Sequence, residues 1–173
     1  QTWVEAMGGK GEYVELFGNP TDNNAKVRAD AYHAVIDQIP GFKLLQKETA
    51  NWDRAQGKAK MELMLQAHPN LKGVIAGNDE MALGAIEALR SAGKLDKVKV
   101  LGFDGNDDAV AAVIAGEMVA TVLQPIVDGT KAAVNQAHAF LTDGTLPASE
   151  KQAIDCILIT KENAGGLKGF VLS

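Results

Sequence analysis

Short apolar runs along the chain alternate with longer segments in which apolar residues recur every three or four positions. That alternation predicts strands followed by helices. Residues 1–7 read as the tail of a helix, with Trp3, Val4 and Met7 on one side and Gly8-Gly9 as the stop. Residues 12–17 give a first strand, with Val14 and Leu16 facing one way, and 24–39 a helix whose apolar stripe is Val27, Ala31, Ala34 and Val35. Pro40-Gly41 ends it. A strand over 42–48 leads to a helix over 54–67, with Ala59, Leu63 and Met64 inward, and His68-Pro69-Asn70 breaks that helix. The third strand spans 71–76. The helix after it, 80–92, has the clearest periodicity of the chain, in Ala82, Leu83, Ala85, Ile86 and Leu89, and stops at Gly93. A fourth strand over 97–103 precedes a helix carrying Ala109, Val110, Val113 and Ile114 and closed by Gly116, and 119–123 is a fifth strand. Four strand-then-helix units followed by a strand imply an α/β fold, a doubly wound, mainly parallel sheet with right-handed crossovers and helices on both faces.

The pattern changes after Gln124. Pro125 suits the first turn of a helix and holds Gln124 extended. The helix is expected over 125–141, with Val127, Val134, Ala137, Phe140 and Leu141 as its apolar positions. Asp143-Gly144 stops it, and a polar linker leads to a last strand over 153–160.

Composition narrows the class further. The 173 residues are 46% hydrophobic and 23% charged, enough for one sizeable core. The net charge of −5 argues against an electrostatic nucleic-acid binder, which needs a basic stripe. No apolar run approaches the roughly 20 residues that span a bilayer. A single cysteine, Cys156, excludes an intramolecular disulfide, and beside a strand it is expected to be a small buried apolar residue. His33, His68 and His138 are isolated and lack ligand spacing, so no metal and no cofactor are expected. Met61, Met64, Met81 and Met118 read as core filling. Neither G-x-G-x-x-G, nor a Walker loop, nor G-x-S-x-G is present, and the chain does not read as an enzyme.

Candidate chemistry collects at the corners where strands pass into helices, the edge at which open parallel sheets bind ligands. The first corner has Asn19, Asp22, Asn23 and Asn24, with Arg28 a turn into the helix; the second has Asn51, Trp52, Asp53 and Arg54. Asn78 and Asp79 follow the third strand, Asp104, Asn106 and Asp107 the fourth, and Gln124 the fifth. Asn and Asp are ordinary helix caps, so any one corner is explained without a ligand. Trp52 is not: an indole there is either a lid on the core or a stacking platform. Sugars and polyols offer hydroxyls that both donate and accept, and an apolar C–H face. Aspartate, arginine, amides and an indole match them, as in Asp104, Arg28, Asn78, Gln124 and Trp52. Anions fit less well beside so many carboxylates.

ANWDRAQGKAKMELMLQAHPNLKGVIAGNDEMALGAIEAL, followed by KVLGFDGNDDAVAAVIAGEMVATVLQP, closely resembles the periplasmic sugar-binding proteins of ABC transporters, of the ribose-binding type. The resemblance covers nearly the whole chain. It implies a fold of two doubly wound lobes joined by crossing strands, closing by a hinge on a monosaccharide or polyol. It also implies that Arg28 clamps the sugar, Trp52 stacks on its ring, and Asn78, Asp104 and Gln124 are polar ligands. The family has a further lobe of roughly a hundred residues ahead of this region, within ordinary domain size. By that reading residues 1–124 and 152–173 form the carboxyl-terminal sugar-binding lobe. Residues 125–151 belong with the amino-terminal lobe, and the apolar side of 125–141 is expected to bury against that lobe or another protomer. The implied partners are the sugar or polyol and a membrane permease, with no nucleic acid, and the implied compartment is the periplasm. The alternative is the effector-sensing core of a LacI-type transcriptional repressor, which shares the fold and the N-D-x-M-A corner. The paired W-D-R and G-F-D-G corners favour the transport receptor, as does the lack of a DNA-binding helix pair.

Overall fold

A computed structural model describes residues 1–172. In chain order the elements are α1 (Thr2–Ala6), β1 (Gly11–Phe17), α2 (Asn23–Ile36), β2 (Phe42–Thr49), α3 (Arg54–Ala67), β3 (Gly73–Ala76), α4 (Asp79–Ser91) and β4 (Lys99–Leu101). Then come α5 (Asp107–Ala115), β5 (Thr121–Leu123), α6 (Ile126–Asp143), β6 (Ile157–Ile159) and a terminal hairpin of β7 (Leu167–Lys168) and β8 (Val171–Leu172). Four strands form a parallel sheet in the order β2-β1-β3-β4. The chain thus steps outward from β1 to β2 and then back across β1 to β3, the reversal that opens a crevice at the carboxyl ends of the strands. β5 continues the sheet beside β4 through two parallel bridges, Leu101 with Ala120 and Asp104 with Leu123, and β6 runs antiparallel to β5.

Both faces of the sheet are covered. Val14, Leu16, Val74, Ala76 and Val100 pack against Met61 and Met64 of α3, Met81, Ala85, Ile86 and Leu89 of α4, and Ala109 and Val113 of α5. The opposite face carries a smaller cluster of Trp3, Tyr13, Ile36 and Ile75, backed by Phe42 and Leu101. Here α1 and α2 lie. Met61, Met64, Met81 and Met118 are all buried, and every apolar position expected to face inward on α4 does so.

Two stripes are turned from their expected side. On α2, Val27, Ala31, Ala34 and Val35 are exposed, and Ala25, Ala29 and Ile36 are buried instead. On α3, Ala59 and Leu63 are exposed, whereas Gly57, Met61 and Leu65 join Met64 inside. On α3 the approach to α4 is made through Gly57, while bulk stays inside in Met61, Met64 and Leu65. On α2 the small residues Ala25 and Ala29, which carry little hydrophobic signal, make the close approach and leave larger apolar residues outside. On α5 the inward residue is Ala112 rather than Ile114, for the same reason. The last strand is shorter than expected: only 157–159 pair, and only Ile159 is fully buried. Cys156 accordingly lies exposed beside β6, not in the core.

Helix α6 carries no buried residue. Val134, Phe140 and Leu141 are exposed, and the helix meets the linker after it, Gln136 donating to Gln152 at 2.7 Å.

Candidate functional site

Helix α2 starts from an Asp22 cap, whose carboxylate accepts from Asn24 N–H at 2.9 Å, and places Arg28 over the carboxyl edge of the sheet. The Arg28 guanidinium donates to Gly77 C=O at 2.8 Å and to Gln124 Oε1 at 3.1 Å, and pairs with Asp104 Oδ1 at 2.9 Å. Its planar group lies 3.9 Å from the Phe103 ring centre and 5.3 Å from that of Trp52. Cation–π attraction from two rings and three polar partners hold the fork in one place.

Trp52 stands on a corner where both Asn51 and Trp52 adopt left-handed backbone, at φ 51° and 65°. Asp53 caps α3 behind it, accepting from Gln56 N–H at 2.8 Å. The indole lies flat against Gly18, where a Cβ would collide with its six-membered ring, and close to Gly77. Glycine at the end of β1 is therefore what admits the ring. Trp52 is half-buried: one side packs on the main core, and the ring lines the open cleft.

Asn78 is the cap of α4. Its Oδ1 accepts from Met81 N–H at 3.0 Å and its Nδ2 donates to Trp52 C=O at 3.3 Å. An amide nitrogen has two hydrogens, so one remains for a ligand. Capping and binding are compatible in this residue.

Asp104 sits at φ 128°, a strained setting for a residue with a Cβ. Its backbone is held on both sides, N–H donating to Val122 C=O at 2.9 Å and C=O accepting from Gln124 N–H at 3.1 Å. Burial pushes its carboxyl up from the usual aspartate range, although Arg28 pulls the other way. Below it lies Asp79, completely buried. Asp79 accepts from Gly105 N–H at 2.8 Å, Asn106 N–H at 2.9 Å and Thr121 Oγ1 at 2.7 Å, and its own N–H donates to Phe103 C=O at 2.7 Å. Burial nevertheless raises its pKa to about 6, outweighing those hydrogen bonds. Asp79 is thus the peg on which the 103–106 corner is hung.

Arg28, Trp52, Asn78 and Asp104 meet around one open cleft of about 200 Å³, together with Asp22 and Asn24. Gln124 does not line it. It is exposed and acts on the cleft through Arg28. Phe103 and Gly18 were not marked by sequence reasoning. The aromatic between Leu101 and Asp104 and the glycine closing β1 were the signals available. A larger cavity, about 500 Å³, lies at the opposite edge of the sheet, away from these residues.

The fold is thus a doubly wound lobe with donors, acceptors and an aromatic face gathered at its switch point, around a cleft open on one side. The chain belongs to the periplasmic binding protein domain family, which it matches over residues 1–145. It is 48% identical, over its whole length, to a D-apiose import binding protein of Actinobacillus succinogenes, of which it covers 56%. A ribose import binding protein of Bacillus subtilis is 40% identical over 83% of the chain and 47% of that protein. Among solved structures, an ABC transporter periplasmic solute-binding protein of Actinobacillus succinogenes with bound D-allose superposes with a TM-score of 0.90 at 30% identity, covering 96% of this chain and 57% of that one. The chain spans about half the length of the curated relatives it matches.

Proposed function

We propose that this chain supplies one lobe of a two-lobed solute receptor for a bacterial ABC importer, holding a monosaccharide or polyol between the lobes and closing by a hinge. The observation that carries the reading is the convergence of Arg28, Trp52, Asn78 and Asp104 on one open cleft, with the arginine immobilised by Phe103 and Gln124. Arg28 donates to ring or hydroxyl oxygens, Asp104 accepts from two hydroxyls, Asn78 offers its remaining N–H, and Trp52 covers a C–H face. The set offers hydrogen bonds and an apolar face, and the role read from it is binding. Closure shifts the receptor toward a form that a membrane permease recognises, in the periplasm. Residues 1–124 and 152–173 make this lobe, and 125–151 go with the second lobe.

Calorimetry with pentoses, hexoses and polyols tests the reading. The chain alone, with half of the contacts, is expected to bind very weakly or not at all; submillimolar affinity in the isolated chain would contradict a two-lobed site. With the second lobe joined, binding is expected, and Asp104→Ala should weaken it by about 2–3 kcal/mol, the value of hydrogen bonds to a charged partner. Retention of full affinity by that variant would remove Asp104 from the site.

A further inference from the structure

The cavity at the amino edge of the sheet lies across the lobe from the Arg28–Asp104 cleft and differs from it chemically. It is lined by Lys10, Lys43, Lys72, Lys97 and Lys99 and by one carboxylate, Glu12. The strand order explains the gathering. Lys43 is on β2, Lys10 precedes β1, Lys72 precedes β3, and Lys97 and Lys99 lead into and begin β4, so each parallel strand brings lysine to the same edge. Neighbouring strands stand about 4.8 Å apart, so the lysines start from adjacent positions along one edge of the sheet. The backbone beneath is tied, with Lys72 N–H donating to Glu12 C=O at 3.0 Å and Lys99 N–H to Lys72 C=O at 2.8 Å.

These lysines are largely uncompensated. Lys43 reaches Glu12 only at 3.5 Å, and among the described residues Lys10, Lys72, Lys97 and Lys99 have no carboxylate partner. This is on a chain of net charge −5. The floor is kept open by glycine. A Cβ at Gly41 would press on Lys10 at 2.7 Å, and one at Gly11 on the Met7 methyl at 2.8 Å. Met7 and Ala6 supply an apolar wall.

We propose that this cavity binds an organic phosphate, with the phosphate among the lysines and its carbon body against Met7 and Ala6. A phosphate presents several oxygens in different directions, which suits converging point-charge donors. A carboxylate suits the planar fork of arginine, and no arginine is present. The volume, about 500 Å³, exceeds the needs of a bare inorganic ion. The phosphate can belong to a free monoester or to a lipid headgroup, and the test separates these sources.

Amide NMR spectra of the chain are to be titrated at low salt with sn-glycerol 3-phosphate, with glycerol and with sodium chloride at matched ionic strength. The expected result is a saturable shift at Gly11, Gly41, Lys72 and Lys99 with the phosphate ester only. Lys72→Gln and Lys97→Gln should each weaken it about fivefold, the equivalent of one charge pair near 4 Å in water, and added salt should weaken it further. Both lysines are exposed, so melting temperatures should not move. In parallel, co-sedimentation with phosphatidylglycerol vesicles, against phosphatidylcholine alone, identifies a headgroup source if it is lost in the same two variants. A response in either arm that depends on Lys72 and Lys97 supports the site. The proposal is overturned if neither arm responds, or if the response is equal with chloride or unchanged in both variants.

Discussion

At the scale of single residues, the site is built by side chains whose backbone or protonation is not at rest. Asp104 holds a φ of 128°. Asp104→Gly and Asp104→Ala both remove the carboxylate, but only glycine relaxes the backbone. The glycine variant is expected to be the more stable of the two by about 1 kcal/mol in urea unfolding. Equal stabilities would mean that the corner is unstrained. Protonation gives a second prediction. Asp79 has a folded pKa raised to about 6, so the folded state holds its proton more tightly than the unfolded chain does. Its contribution therefore falls as pH rises from about 4 to 6. His33 is also raised: burial lowers it, but hydrogen bonds to Asp37 and Glu15 at 3.1 and 2.9 Å win. That contribution is complete below the ordinary histidine value and is lost as pH climbs through the raised one. Urea midpoints should thus decline on going from mildly acid to mildly alkaline solution. Asp79→Asn should flatten the acid part of the decline, and His33→Gln the neutral part.

Elements position those residues through close helix packing. Helices α3 and α4 cross at glycines: a Cβ at Gly57 would stand 2.8 Å from the Met81 backbone, and one at Gly84 would overlap the Arg54 carbonyl oxygen. Because α3 starts beside Trp52 and α4 at Asn78, this crossing sets the distance between two walls of the cleft. Arg54 adds a bidentate pair to Glu80, at 2.8 and 3.0 Å, and reaches Asp108 at 2.8 Å, joining the first turns of α3, α4 and α5. Gly84→Ala should cost about 2–3 kcal/mol by overpacking, although alanine favours helix by about 1 kcal/mol. A neutral result in thermal unfolding would show that the helices can part freely.

Legibility in the sequence follows the same physics. Helix α4 was readable because Leu83, Ile86 and Leu89 mark its buried side with bulk. Helix α2 was not, because Ala25 and Ala29 do the burying while Val27 and Val35 face out. The corner residues were readable as a set, since strand-to-helix order brings them to one edge. Their mutual support was not: that Gln124 works through Arg28, that Phe103 stacks on it, and that Gly18 receives Trp52 all depend on distances between residues far apart in the chain.

For the whole molecule, the contrast is between a sheet buried on both faces and a helix buried on none. The apolar side of α6, with Val134 and Phe140 exposed, fits a surface that another lobe or protomer covers. In the chain alone its amides should exchange faster than those of α4. Val134→Ser with Phe140→Ser should reduce binding of a hydrophobic dye while changing stability by about 0.5 kcal/mol or less, as exposed positions allow. Rapid exchange in α4, or undiminished dye binding, would place the weak region elsewhere.

The chain has two tryptophans. Trp3 is sealed on the far face, 3% exposed with its indole N–H on Lys99 C=O at 2.9 Å, while Trp52 is at the rim of the cleft with Arg28 beside its ring. The two emitters are therefore a built-in reference and a built-in reporter. Once the second lobe is joined, occupancy of the proposed site is expected to change the colour and intensity of Trp52, with the Trp52→Phe spectrum supplying the background, and no label has to be attached.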